Sequence, residues 1–186
     1  MDVTLRTARL VLRPPVIADA AAIVRLLNNF SVVGRPSRVP SPYTEADAHW
    51  WLEHNGPNSP ATETNFAIDL AGEGLIGVCG FHPDLGGTVL GYWLGEPFWN
   101  RGFMSEAAEA VITWYFAATA AETLGCGAFA FNKASLAVQR KLGFTESGLS
   151  SRHCLARHQD LRHIDTQLTR DRWAERSATR QLQANP

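Results

Sequence analysis

The chain has 186 residues, of which 45% are hydrophobic and 19% charged, a balance that suits one globular domain with a real core and excludes a disordered chain. A net charge of −1 excludes the broad basic field that draws proteins to nucleic acid, and Lys133 and Lys141 are the only lysines beside many arginines. The cysteines Cys79, Cys126 and Cys154 are odd in number and form no C-x-x-C pair, so a reduced, cytoplasmic setting is expected rather than a disulfide framework.

The opening MDVTLRTARL has no apolar signal core, so no leader is expected. TARLVLRPP, Thr7 to Pro15, is β-rich and stops at two prolines, which predicts a strand. IADAAAIVRLLNN follows with Ile17, Ala21, Val24 and Leu27 near helical spacing and Asp19 placed to cap. VGRPSRVPSPY, Val33 to Tyr43, reads as a loop, and a helix is expected from Thr44, with Glu45 and Asp47 in its first turn. Three strand-like runs come next: Thr64 to Leu70, Leu75 to Pro83 and Gly87 to Gly95. The short linkers AGEG and DLGG predict an antiparallel meander. A long helix is expected from Gly102 to Thr119, with Ala107, Ala108, Val111, Ile112, Tyr115 and Phe116 as its apolar stripe. Its apolar run AVITWYFAATAA is shorter than the roughly 20 residues a bilayer span needs. CGAFAF reads as a buried strand, and ASLAVQRKLGF as a short helix ended by Gly143. Two last strands are expected near Glu146 to Ser151 and Arg162 to Thr169, and a polar, frayed tail after Trp173. The order describes one α/β domain in which the long helix is a β-α-β crossover.

The stretch GEPFWNRGFMSEA, Gly95 to Ala107, lies where a strand hands over to that helix. The first amides of a helix have no partner inside it and carry part of the macrodipole's positive charge. A diphosphate fits there if no side chain screens the backbone. Gly102 removes such a screen, Ser105 adds a hydroxyl and Arg101 a charge.

Taken together, GYWLGEPFWNRGFMSEA, the later NKASLAVQRKLGF and the opening TARLVLRP resemble the GNAT superfamily of acetyl-CoA-dependent N-acetyltransferases. The resemblance is to its branch acting on ribosomal-protein N-termini, and it spans Leu5 to Trp173. It implies a single α/β (α+β) domain over 1–173, with a polar tail over 174–186. The sheet would be mixed and mostly antiparallel, with helices on both faces and a splayed strand pair for CoA. The family's phosphate loop, Gln/Arg-x-x-Gly-x-Gly/Ala, is kept here only at Gly102, with Trp99 and Met104 at its ends. Phosphate binding then falls to the backbone of Asn100, Arg101, Gly102, Phe103, Met104 and Ser105. The resemblance also places the pantetheine arm beside Trp93 and Leu94, like an added strand, with Asn132 and Ser135 facing it. The tyrosine that protonates the leaving thiolate in much of the family is replaced by Gln139, which leaves Ser135 as the candidate acid. For the base, Glu96 after the cofactor strand ranks first and His82 second; Glu106 is read as a first-turn carboxylate.

Other constellations fall away. GCGAFA enters a strand from a helix, the reverse of the dinucleotide-binding order. His153, His158 and His163 recur every five residues, a spacing that faces one side of neither helix nor strand, so no metal is expected. The expected function is acetyl transfer from acetyl-CoA to a primary amine, either a peptide N-terminus or a small molecule, with no nucleic acid or membrane partner. The acceptor site is expected at the loop from Val33 to Tyr43 and the helix after it. The family's habit of pairing implies a homodimer, and a catalytically weak acyl-CoA-binding module is the alternative.

Overall fold

The computed structural model describes residues 3–55, 59–84 and 86–184. Its strands are β1 (Leu5–Arg6), β2 (Leu10–Arg13), β3 (Asn65–Leu70), β4 (Gly74–Asp84), β5 (Gly87–Leu94), β6 (Thr123–Phe129), β7 (Thr145–Cys154) and β8 (Gln159–Thr169). Its helices are α1 (Ala20–Leu27), α2 (Phe30–Val33), α3 (Glu45–His54), α4 (Phe103–Ala118), α5 (Lys133–Leu142) and α6 (Arg170–Ala184), with single helical turns between some elements. One sheet takes the order β1-β2-β3-β4-β5-β6-β8-β7. Every pairing is antiparallel except β5 with β6.

The meander β3-β4-β5 forms as expected; Leu85, in its second turn, lies outside the described residues. The first predicted strand forms as β2, and the two-residue β1 precedes it and pairs with it. Asp19 does not cap α1. Its carboxylate accepts from the Val16 N–H at 2.8 Å and takes a two-pronged grip from Arg13 at 2.7 and 2.8 Å. Thr44 does cap α3, reciprocally with Asp47, as a capping box. Asn132 caps α5, and Gly143 ends it in the left-handed conformation. The hairpin β7-β8 is longer than its sequence signal, because its outer turns are polar and carry little period-two contrast. After Trp173 the chain does not fray but continues as α6 to Ala184.

Helices cover both faces. Residues directly opposite in β4 and β5 share a face, so Phe81 goes with Leu90 and His82 with Val89. Phe81 meets Tyr115 of α4, with ring centroids 4.5 Å apart. On the other face α1 packs against β4, and Leu26 fills the space left by Gly95. The predicted stripe Ala107, Ala108, Val111, Ile112, Tyr115 and Phe116 is buried throughout. Each large side chain in it stabilises the fold by about 1.5–3 kcal/mol. At the far end of α4, Arg170 donates to the carbonyls of Phe116, Thr119 and Ala121 at 2.6, 2.7 and 3.0 Å, satisfying groups the helix leaves without partners. All three cysteines are free and buried. No helix among the described residues is long and apolar enough to cross a membrane.

Candidate functional site

The parallel strands β5 and β6 touch at one register point, Val89 opposite Gly125, and part beyond it. The register of β4 on β5, together with the Gly95 N–H donating to Ile76, turns the backbone of Trp93 toward β4. By the same alternation the N–H groups of Tyr92 and Leu94 point into the gap. Of the two residues expected to pair with a cofactor arm, Leu94 therefore offers its backbone and Trp93 does not. The Leu94 carbonyl is already occupied, since the Trp99 indole N–H donates to it at 2.6 Å.

A cavity of about 540 Å³ opens along this gap. Trp93, Leu94, Asn100, Gly102, Phe103, Met104, Ser105, Asn132, Ser135 and His82 all line it. Arg101 and Glu96 do not. Arg101 lies over the Phe103 ring at 4.7 Å, and its carbonyl accepts from Arg9. Glu96 sits exposed in the single turn Glu96–Phe98 and accepts from the Asn29 side-chain amide. Glu106 also lies outside the lining. It takes hydrogen bonds from the Thr7 hydroxyl at 2.6 Å and from the Arg9 backbone and guanidinium at 2.9 and 2.7 Å, and so ties the first strands to α4. Partial burial works to raise its pKa, but those hydrogen bonds and the Arg9 charge outweigh it and hold the carboxyl below its ordinary value.

At the mouth of α4, Gly102 has φ 79° and no side chain caps the helix, so the first-turn amides stay open. On the same face of the sheet, the Tyr92 hydroxyl lies 2.8 Å from Ser135 Oγ, and the Gln139 amide donates to Ser135 Oγ at 3.1 Å. The Gln139 carbonyl oxygen accepts from Thr166 at 2.9 Å. Burial pushes the Tyr92 phenol well above its ordinary value, with the hydrogen bonds from Ser135 and Gln139 only partly opposing. Sequence reasoning missed Tyr92. The available signal was its parity with Leu94 on a strand already suspected of meeting the cofactor.

The opposite face holds a second group. His82 lies over Gly91, where a Cβ would come within 3.0 Å of the imidazole. Burial, reinforced by the nearby Arg38 charge and only partly offset by Asp84, pushes His82 down to about 4, so it is neutral at neutral pH. Arg152 pairs with Asp84 at 2.6 Å, and His163 pairs with Asp165 at 2.8 Å; burial lowers the pKa of His163 despite that carboxylate. The predicted loop supplies Arg35, Pro36, Ser37 and Arg38 to the lining, whereas α3 supplies nothing. The unforeseen part is the β7-β8 hairpin, which brings Arg152 and His163 and pins the loop through Leu155 N–H to Ser37 O at 3.0 Å. Arg35 lies over the Trp99 ring at 4.6 Å and donates to Asn132 at 3.0 Å. Cys126 lines the gap as well, but full burial pushes its thiol up to about 12, so it stays protonated.

Open helix amides lead into a parted pair of strands, with a hydroxyl network on one face and a neutral imidazole on the other. Such a site suits a phosphorylated ligand with an extended, reactive tail. Residues 9–145 match the family described as acetyltransferase (GNAT) domain. Among curated proteins no sequence matches significantly. The chain is similar in structure to the acetyltransferase from Agrobacterium tumefaciens strain C58, with TM-score 0.70 and 27% identity, covering 91% of this chain and 96% of that one. It is similar also to the ribosomal-protein-S5-alanine acetyltransferase from Vibrio fischeri, with TM-score 0.74, 20% identity and coverage of 92% and 99%. A third likeness is to the microcin C7 self-immunity acetyltransferase MccE, solved in complex with acetyl-CoA and AMP, with TM-score 0.69, 17% identity and coverage of 88% and 93%.

Proposed function

Because the chain belongs to the GNAT acetyltransferase family, whose members use acetyl-CoA, we propose that it transfers the acetyl group to a primary amine, of a peptide N-terminus or a small molecule, by direct attack on the thioester. The observation that carries the reading is the parting of β5 and β6 beside the uncapped N-terminus of α4. The amides from Gly102 to Ser105 hold a diphosphate, and the backbone edge at Tyr92 pairs with the pantetheine arm. Bound acetyl-CoA supplies an activated acyl group with a thiolate as leaving group.

The chain's own residues then divide the work. The Leu94 N–H, aimed into the gap, donates to the oxygen that gains charge as the amine attacks. His82, neutral and inside the cavity, takes the amine's proton directly or through a water. Glu96, outside the cavity, has no part in this scheme. On the other face the Tyr92 hydroxyl, in contact with Ser135, supplies a proton to the departing sulfur and takes the place of the tyrosine that Gln139 replaces. A protonated Cys126 does not accept the acyl group, which supports direct attack over an acyl-enzyme.

Calorimetry with acetyl-CoA, paired with thiol release over a panel of amines, tests the reading. Binding followed by amine-dependent release of CoA is the expected result. Tight binding without turnover on any amine would leave an acyl-CoA-binding module, and absence of binding would remove both.

A further inference from the structure

The charges on the cavity wall are lopsided. Among the described residues lining it, Asp84 is the one carboxylate, against Arg35, Arg38, Lys141 and Arg152. Lys141, on α5, belongs to the face that takes the cofactor, and Arg35 is engaged by Trp99 and Asn132. Arg38 and Arg152 remain at the His82 end, sharing Asp84. Arg152 holds it at 2.6 Å; Arg38, with a side chain 58% exposed, approaches no nearer than 3.8 Å. Asp165 compensates little, since it lies 3.7 Å from Arg152 while accepting from His163. The Arg152 Nε–H is buried and has no partner among the described residues. A second recess of about 320 Å³, lined by Ser37, Arg38, Arg152, His153 and Leu155, adjoins the same two arginines.

We propose that Arg38 and Arg152 form an anion subsite, so that the acceptor is an amine whose molecule also carries a carboxylate or phosphate group. The proposal rests on the acetyl-transfer reading above and names its substrate class. A guanidinium carries five N–H donors; Arg152 gives one to Asp84 and Arg38 stays 3.8 Å from that carboxylate, so both keep terminal donors for an acceptor oxygen. A planar guanidinium fork matches the two oxygens of a carboxylate or phosphate. The subsite lies beside the imidazole that takes the proton, so one molecule spans both: its acid on the arginines and its amine toward the gap between β5 and β6. The burial that keeps His82 neutral, and the arginine charges that reinforce it, also favour the neutral, nucleophilic form of the amine.

The test uses matched probes: alanine with alaninamide, O-phosphoethanolamine with ethanolamine, and the dipeptide amides Ala-Asp with Ala-Asn. Each is titrated calorimetrically into the CoA-saturated full chain and assayed for thiol release with acetyl-CoA. In at least one pair the acid-bearing member should bind and turn over with kcat/KM about tenfold or more above its neutral partner. Arg38→Gln should abolish that preference through KM, while acetyl-CoA titrates with wild-type affinity; Arg152→Gln, compared in parallel, should do the same if it folds. Acetylation of neutral members equal to or better than acidic ones would overturn the subsite and leave acetyl transfer standing. Selective binding of acidic members without turnover of any amine would keep the subsite and overturn acetyl transfer. Equal binding of both members in every pair, or binding of neither, would overturn the subsite. The carboxylate and phosphate pairs tell the two kinds of anion apart.

Discussion

At the scale of single residues, two side chains carry the proposed proton transfers, and burial sets the state of each. Taking His82 as the base, His82→Gln should lower kcat/KM about a hundredfold, whereas Glu96→Gln should leave it unchanged; steady-state thiol release separates the two. The lowered pKa also has a stability signature. Unfolded, the imidazole titrates near its ordinary 6.5; folded, near about 4, so between those values the unfolded chain binds more protons. Stability should therefore fall as pH drops from 6.5 through 4, and His82→Gln should flatten the slope seen in urea midpoints at successive pH values. The residual slope reports His163, lowered by burial in the same direction, together with Glu106, whose carboxyl is also held below its ordinary value. Across the sheet, Tyr92→Phe removes a hydroxyl 2.8 Å from Ser135 while keeping the ring. It should reduce kcat by roughly tenfold to a hundredfold with little change in acetyl-CoA affinity. Ser135→Ala in the same background should add little, because the two hydroxyls act as one chain.

At the scale of elements, the proposed cofactor site rests on the α4 N-terminus and the parting of β5 from β6. Gly102 occupies the left-handed region at φ 79°, so Gly102→Val combines backbone strain with a branched side chain at the mouth of the helix. The strain alone costs about 1–2 kcal/mol. The variant should lose acetyl-CoA affinity in calorimetry by more than its drop in thermal midpoint explains. Glu106, one turn further on, is a fastener rather than a reactant. Glu106→Ala should cost about 1–3 kcal/mol, by removing the carboxylate that Thr7 and Arg9 share as an acceptor, and should spare catalysis in the folded fraction. Arg170 seals the other end of the same helix, so α4 is held at both termini by residues remote in sequence.

At the scale of the whole molecule, the sheet brings two chemistries to one gap from opposite faces. The α4 and α5 side presents the open α4 amides and the Tyr92 hydroxyl; the other side presents His82 of β4 with Arg38 of the loop and Arg152 and His163 of the β7-β8 hairpin. The Arg152 to Asp84 ion pair joins β7 to β4 and so ties together the two halves of the sheet on either side of the gap. Because the ligand contacts both edges of the gap, it should stabilise the chain as a unit. Acetyl-CoA at a hundred times its Kd should add about 2.7 kcal/mol to unfolding, read as a raised thermal midpoint, and Gly102→Val should blunt that rise.

The sequence by itself determined what depends on local period and spacing. The meander, the apolar stripe of α4, the Thr44 and Gly143 caps and the open glycine entry to α4 are each written within a few residues. Side-chain placement in the cavity was legible where the relevant residue lay on such an element, as for Ser105, Asn132 and Ser135. The rest needed the tertiary structure, because it depends on which strands become neighbours and which backbone edge is left without one. Strand parity placed Tyr92 against Ser135 and turned Leu94 rather than Trp93 into the gap. Long-range packing left Glu96 outside the cavity lining and folded a polar hairpin, too weakly patterned to read, over a loop more than a hundred residues away. Local physics is additive along a chain and can be read there, whereas a binding site is made by pairs of residues that only the completed sheet brings together.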